Sequence, residues 1–222
     1  MRVTRVVAID GPAGSGKSTV ARGVAAALGL EVLDTGAMYR AVTLAVLTAG
    51  ADPADAVACS RAAAAARIDL GPRVLLDGRD VTEAIRGPEV TAAVSTVSAH
   101  PGVREVLVGH QRAWAEAHGG AVVEGRDIGT VVFPAATLKV FLTASDEERA
   151  RRRARDEAAA DRAVDVAAVQ ADLARRDRLD SGRSASPLVA APDAVRVDST
   201  DRTIEDVVRT IVSELRAREA GA

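Results

Sequence analysis

The sequence predicts an α/β fold, a parallel sheet flanked by helices with a small antiparallel β insert, and three observations carry that reading. Val3 to Ile9 is a short β-branched run that ends at Asp10-Gly11-Pro12 and leads into a helical stretch. The alternation then repeats, with Glu31 to Leu33 as a strand and about Ala37 to Thr48 as a helix, the order that builds parallel sheets. Finally, Asp77-Gly78 lies between two short apolar runs and signals a tight hairpin in an otherwise alternating chain.

The elements follow in order. Lys17 to Leu28 places Val20, Val24 and Leu28 on one helical face, and Gly29 stops the helix. Asp34-Thr35-Gly36 caps the next helix, with Thr35 expected at the N-cap. Ala62 to Ala66 is a low-complexity run belonging to a helix or its exit. Ile68 to Leu70, Val74 to Leu76 and Val81 then make the antiparallel insert, residues 66–86, against a core of residues 1–65 and 87–222. Helices start at Pro88 and Pro101, the second carrying Trp114 and ending near Gly119-Gly120. Ala121 to Glu124 and Leu138 to Thr143 are further buried strands. Ser145 with Glu148 predicts a capping box for an arginine-rich helix. A charged helix from about Val166 to Asp180 stops at Ser181-Gly182, and Ala194 to Val197 is the last strand. Thr203 with Asp206 opens the final helix, on which Ile204, Val207, Val208, Ile211 and Leu215 form one apolar stripe.

Composition bounds the function. The 222 residues suit one large domain or a domain with an insert. Of 29 basic residues only Lys17 and Lys139 are lysines, and Tyr39, Trp114, Phe133 and Phe141 are the only aromatics. A formal charge of −2 argues against a nucleic-acid-coating protein, and four aromatics argue against a base-stacking platform. Cys59 stands alone, which suits a reducing compartment, and no apolar stretch reaches the ~20 residues of a membrane span. A soluble cytoplasmic monomer is the expectation, with no nucleic-acid or membrane partner.

Gly11-Pro12-Ala13-Gly14-Ser15-Gly16-Lys17-Ser18 fits the G-x-x-x-x-G-K-[ST] phosphate loop in full, between a strand and a helix. Its glycines let successive N–H groups turn inward around an anion, and the helix N-terminus adds partial positive charge. Lys17 suits the β- and γ-phosphates of a nucleoside triphosphate and the Ser18 hydroxyl suits Mg²⁺, with Thr19 completing the binding segment. Such a loop serves ATPases, switches and kinases alike, so the reaction must be read from the contacts of the second substrate.

Arginines supply a second anion-binding set. Arg40 lies near the start of a helix, beside Tyr39 and behind Thr35, at the carboxyl end of the second strand, where α/β sheets take ligands. Glu124-Gly125-Arg126-Asp127 occupies the corresponding end of a later strand, and the Arg126 fork can hold two phosphate oxygens. Arg149, Arg152 and Arg153 share a helix face. Arg176 and Asp180 are spaced to face one another, as a helix salt bridge or as a ligand pair, and Arg183 follows the Gly182 break.

With these motifs in view, the sequence resembles the bacterial cytidylate kinases of the nucleoside-monophosphate kinase family. The segments that carry the resemblance run through nearly the whole chain: IDGPAGSGKST, LDTGAMYR, DGRDVTEAIR, PEVTAAVSTVSAHPGVRE, EGRDIGTVVFP, SDEERARRR, RRDRLDSGRSASPL and VDST. The resemblance implies a P-loop kinase core, a nucleoside-monophosphate-binding insert and a helical lid over about 149–183. It implies ATP and Mg²⁺, with CMP and dCMP as acceptors. Matching positions suggest Thr35, Arg40, Arg126 and Arg183 around the acceptor phosphate, with Tyr39 beside them. They suggest Ser95, Arg104 and Asp127 at the cytosine edge, Arg176 and Asp180 at the ribose hydroxyls, and Arg152 or Arg153 on the donor phosphates. Lys17, Arg126, Arg152, Arg153 and Arg183 are then the expected catalytic residues. Glu124 stands where Asp is common in the family and Ala135 where Asp is frequent, the first leaving a Mg²⁺-water role for that carboxylate open. Adenylate, UMP/CMP and shikimate kinases share the loop and lid, and Ser95, Arg104 and Asp127 with the hairpin insert separate them. A CMP phosphate is largely ionised at neutral pH, its second pKa being about 6, so no general base is demanded and His100, His110 and His118 read as surface residues.

Overall fold

The computed structural model describes residues 5–159, 165–183 and 186–221. In chain order the elements are β1 (Arg5–Asp10), α1 (Lys17–Leu28), β2 (Glu31–Asp34), α2 (Thr35–Thr48), α3 (Ala56–Ala65), β3 (Ile68–Leu70), β4 (Val74–Leu76) and β5 (Arg79–Asp80). A 3₁₀ turn (Ala84–Arg86), α4 (Pro88–Val97), α5 (Pro101–Ala117), β6 (Gly120–Gly125) and a π-helical turn (Ile128–Val132) follow. The chain continues with β7 (Leu138–Thr143), α6 (Asp146–Ala159), α7 (Val166–Ser181), β8 (Val195–Asp198) and α8 (Ile204–Ala220). Contacts divide it into two compact units, residues 1–32 with 115–222, and residues 33–114.

The first unit is built on a five-stranded sheet ordered β2-β6-β1-β7-β8, to which β2 contributes from the boundary between the units. β1 pairs in parallel with β6 and β7, and β7 in parallel with β8. The register sets Asp10 opposite Gly125 and Phe141, so the phosphate loop and the Gly125-Arg126-Asp127 turn leave the sheet side by side at its carboxyl edge. Val7, Ile9, Val122, Leu138, Val140 and Leu142 are buried in that sheet, which is why these strands read as apolar runs rather than as alternating ones. On one face α1 and α8 cover them with Val20, Val24, Val207, Ile211 and Leu215, the expected α8 stripe except for Ile204, which is exposed at the first turn. The two helices pack closely at Gly23, where a Cβ would come within 2.7 Å of a Val208 methyl.

In the second unit the antiparallel sheet β3-β4-β5 packs against α2 through a cluster of Ala37, Ala41, Val74 and Ile85. Its hairpin turns at Asp77 (φ 52°) and Gly78 (φ 80°), the paired left-handed conformation that Asp-Gly favours. The third strand is Arg79–Asp80, and Val81 only extends the ladder through its N–H to the Val74 carbonyl at 2.9 Å.

Several local expectations shift. The N-cap of α2 is Asp34, whose carboxylate accepts from the Ala37 N–H, and Thr35 is the first helical residue. The α6 cap is half a box: Ser145 Oγ accepts from the Glu148 N–H at 3.3 Å, but the Glu148 carboxylate takes Arg151 and Arg152 instead of reaching back. His110 and His118 are exposed, whereas His100 is half-buried with Nε2 2.8 Å from the Pro53 carbonyl oxygen. No helix among the described residues is long and apolar enough to cross a membrane.

Candidate active site

Gly14 and Gly16 hold the phosphate loop in left-handed backbone (φ 76° and 86°), which turns the loop's amides inward and starts α1 at Lys17. Lys17 is buried, and its Nζ donates to the Pro12 carbonyl at 2.7 Å. Burial first, and the Arg126 charge second, pull its pKa from 10.5 down to about 7, against the opposing carboxylates of Glu124, Asp10 and Asp177. The ammonium is thus poised to recover full charge when phosphates arrive. Ser18 Oγ donates to Glu124 Oε2 at 3.0 Å, and Glu124 is buried. A hydroxyl and a carboxylate side by side at the start of α1 are hard oxygen donors of the kind that holds Mg²⁺ together with triphosphate oxygens and waters. Glu, one methylene longer than Asp, still reaches the loop serine.

Asp10 anchors the neighbouring turn. Its two carboxylate oxygens accept from the N–H groups of Ile128 and Gly129 at 2.7 and 2.8 Å, capping the π-helical turn just after Arg126-Asp127. Burial raises its pKa to about 6, with those two N–H groups acting the other way. Sequence reasoning passed over this residue. The signal was a carboxylate ending a wholly apolar strand, where a charge needs dedicated donors.

Arg126 and Arg183 meet at one carboxylate. Arg126 Nε donates to Asp180 Oδ2 at 2.8 Å, and Arg183 donates to Oδ1. Asp180 therefore pairs with these two arginines rather than with Arg176, four residues before it. Arg176 is itself buried, and its Nε has no acceptor among the described residues. Burial, and then the Arg126 charge, lower its pKa from the ordinary guanidinium value. Arg126, Arg183 and the buried Arg176 thus lie about one buried carboxylate, a setting of guanidinium groups that suits an anion.

The α6 arginines separate in role. Arg152, expected at donor phosphates, lies against the phosphate loop: it donates to Ser15 O (3.3 Å), Ser199 Oγ (2.9 Å), Ser199 O (2.7 Å) and Glu148 Oε1 (2.8 Å). Arg153 is half-buried and close enough to Arg176 for its charge to be felt there. Arg149 is buried and reaches Ala13 O at 3.0 Å, Asp177 and Asp146. Asp177 and Ser199 carried no isolated sequence signal, being two polar residues in polar runs.

In the second unit, Tyr39, Thr35, Ser95 and Arg104 are all buried. The Arg104 guanidinium lies 5.3 Å from the centre of the Tyr39 ring and donates to Ser98 O at 3.3 Å. Arg40 Nη1 is 3.0 Å from both the Ile85 carbonyl and Thr91 Oγ1, tying α2 to the 3₁₀ turn and α4. This unit thus carries an aromatic ring, several hydroxyls and two guanidinium groups, groups of the kind that suit a base and a phosphate.

Comparison with known proteins agrees with this chemistry. The family model described as Cytidylate kinase matches residues 7–217. A curated cytidylate kinase of Mycolicibacterium paratuberculosis is 58% identical over 218 residues, 96% of each chain. That of Corynebacterium glutamicum is 52% identical over 217 residues, covering 96% of this chain and 94% of its own. Among solved structures, an uncharacterized protein from Eubacterium ventriosum aligns over 97% of this chain and 99% of its own, with a TM-score of 0.55 at 13% identity, a likeness of fold alone.

Proposed function

The chain belongs to the cytidylate kinase family and catalyses ATP-dependent phosphorylation of CMP to CDP, and from that premise we propose which residues carry the transfer and that dCMP is a second acceptor. ATP binds the loop Gly11, Pro12, Ala13, Gly14, Ser15, Gly16, Lys17, Ser18 and Thr19. Ser18, with Glu124 hydrogen-bonded to it, would hold Mg²⁺, which would supply charge neutralisation and alignment of the phosphates. Thr35, Tyr39, Arg40, Arg126 and Arg183 take the CMP phosphate. Ser95, Arg104 and Asp127 read cytosine, whose N4 amine donates to a carboxylate while its ring acceptors take a guanidinium. Arg176 and Asp180 serve the ribose hydroxyls, and Arg152 or Arg153 takes the donor phosphates.

No base is needed, because the attacking oxygen of CMP is already ionised at neutral pH. What the protein must supply is relief of repulsion between two anions and their in-line alignment. Lys17 regains its charge against the triphosphate. Arg126 and Arg183 neutralise the acceptor, and lid closure excludes the water that would otherwise hydrolyse ATP. Arginines in such positions contribute on the order of 10³–10⁵ in rate.

The observation that carries the assignment is the gathering of Arg126, Arg176 and Arg183 about Asp180, guanidinium groups of the kind that take a phosphate. Calorimetric titration of Arg183→Ala tests it. CMP affinity falls at least tenfold while an ATP analogue binds as before; unchanged CMP affinity would remove Arg183 from the acceptor site. The single cysteine suits a reducing, cytoplasmic setting, with a monomer and nucleotides as the partners in this reading; light scattering on the purified protein checks the monomer.

A further inference from the structure

The phosphate loop is held from outside at one residue. Ala13 donates its N–H to Asp177 Oδ1 at 3.4 Å, and its carbonyl accepts from Arg149 Nη1 at 3.0 Å. Asp177 Oδ2 closes the triangle by accepting from the same Arg149 nitrogen, and Asp146 holds the other end of the guanidinium at 2.6 Å. The Ala13 methyl is in turn packed in a cluster with Ala150 of α6 and Leu173 of α7. Both helices therefore grip both peptide groups and the side chain of a single loop residue. The contact is close: a Cβ on Gly14 would come within 3.0 Å of the Arg149 carbonyl oxygen.

The reason for such a grip follows from the geometry of an anion-binding loop. If the amides of Gly14 to Lys17 are to face the phosphates, the intervening carbonyls must face outward, and a carbonyl turned away from water into protein costs about 1–3 kcal/mol when left without a donor. In this structure those donors are on hand. Arg149 serves Ala13 O, Arg152 and Ser199 serve Ser15 O, and Lys17 itself serves Pro12 O. Of these, Arg149 is the one whose direction is fixed by two carboxylates from two different helices. Burial works against its charge, and the bonds it donates to Asp146 and Asp177, with their charges, more than offset that, raising its pKa.

We propose that Asp177 and Arg149 are positioning residues for ATP: they set the Ala13 peptides of the phosphate loop, and so make nucleotide affinity depend on α6 and α7 lying against it. Neither side chain touches the reacting atoms. This rests on the loop being the ATP site, and the experiment separates the two. Asp177→Asn keeps the size of the side chain but turns an amide toward Arg149. Arg149→Lys keeps the charge but loses the fork, and serves as the second variant should the first not fold. In each, KM for ATP and Kd for a non-hydrolysable ATP analogue rise about tenfold, as expected for loss of one charge-assisted contact. KM for CMP stays within about twofold, the split that a merely structural role would not produce. Combining Asp177→Asn with Arg149→Lys adds little further loss, because the two side chains are bonded to each other and hold Ala13 as one unit. Parent-like analogue affinity in both single variants overturns the proposal, as does a proportional rise in both KM values. Lys17→Ala, run in parallel, identifies which reading has failed. If it is inactive while Asp177→Asn and Arg149→Lys bind the analogue normally, only the positioning role falls; if it turns over fully, the ATP site and this inference fall together.

Discussion

Arg126 and Asp180 form an ion pair with Nε 2.8 Å from Oδ2, and the second oxygen of the same buried carboxylate takes Arg183. Two arginines assigned to the CMP phosphate are thereby oriented before any ligand binds, which lowers the entropy that binding must offset. Replacing Asp180 with alanine leaves Arg126 and Arg183 without their counter-charge beside the buried Arg176. Breaking a buried pair from one side costs about 3–5 kcal/mol, and the lower end applies here because Arg126 keeps some solvent contact. Urea unfolding of Asp180→Ala measures this. In Asp180→Asn the fold survives and KM for CMP rises more than KM for ATP.

The carboxylate of Asp10 accepts two backbone N–H groups, and an asparagine there can accept only one while presenting an amine to the other. Asp10→Asn is expected to destabilise the protein by about 1–3 kcal/mol. It also loosens the turn that carries Arg126 and Asp127, so the preference for CMP over UMP falls. The pH dependence has a definite sign. The folded pKa of Asp10 is raised from 3.8 to about 6, so the stability linked to its protonation is complete below 3.8 and is lost as pH rises through 6. The gap in unfolding free energy between parent and Asp10→Asn should therefore widen as pH falls from 7 to 5; a constant gap would contradict the raised pKa.

Lys17 titrates at about 7 without nucleotide, so at pH 8 it is mostly neutral and at pH 6 mostly charged. Triphosphate binding restores the ammonium. Binding of an ATP analogue at pH 8 should then take up close to one proton, and at pH 6 almost none. Calorimetry in buffers of different ionisation enthalpy reads this directly, and Lys17→Met abolishes the uptake. The same shift makes Lys17 a cost to the free enzyme: stability rises with pH between about 7 and 10.5, where the unfolded chain binds the extra proton.

Asp127 is buried beside the Asp10-capped turn. Asp127→Ala should lower kcat/KM for CMP while changing that for UMP little, because only cytosine presents an N4 amine to the lost carboxylate. An unchanged CMP-to-UMP ratio would take Asp127 out of base recognition.

Much of this architecture was legible in the residues. Apolar runs such as Val6-Val7-Ala8-Ile9 and Ala121-Val122-Val123 can only be doubly covered strands, and Asp77-Gly78 dictated its hairpin. The phosphate loop was readable because its spacing is itself the geometry. What escaped was everything decided by pairing across the chain. Nothing near Asp180 says that it meets Arg126, 54 residues earlier, nor that Arg149 and Asp177 hold Ala13. Sequence spacing put Arg149, Arg152 and Arg153 on one face of α6 but could not say what each meets. Arg151 reaches out into solvent from its pair with the mostly covered Glu148, while Arg149 and Arg152 are drawn to loop carbonyls. The π-helical turn was hidden for the same reason, since its cap, Asp10, lies over a hundred residues upstream.

The most direct test is a panel of acceptors (CMP, dCMP, UMP, AMP, GMP and shikimate) assayed with ATP and Mg²⁺ by coupled detection of ADP. The expected result is the highest kcat/KM for CMP, dCMP within about tenfold of it, UMP at least about a hundredfold lower, and negligible ADP release without acceptor. Equal ADP release with and without CMP, or a higher kcat/KM for any acceptor lacking cytosine, would contradict it.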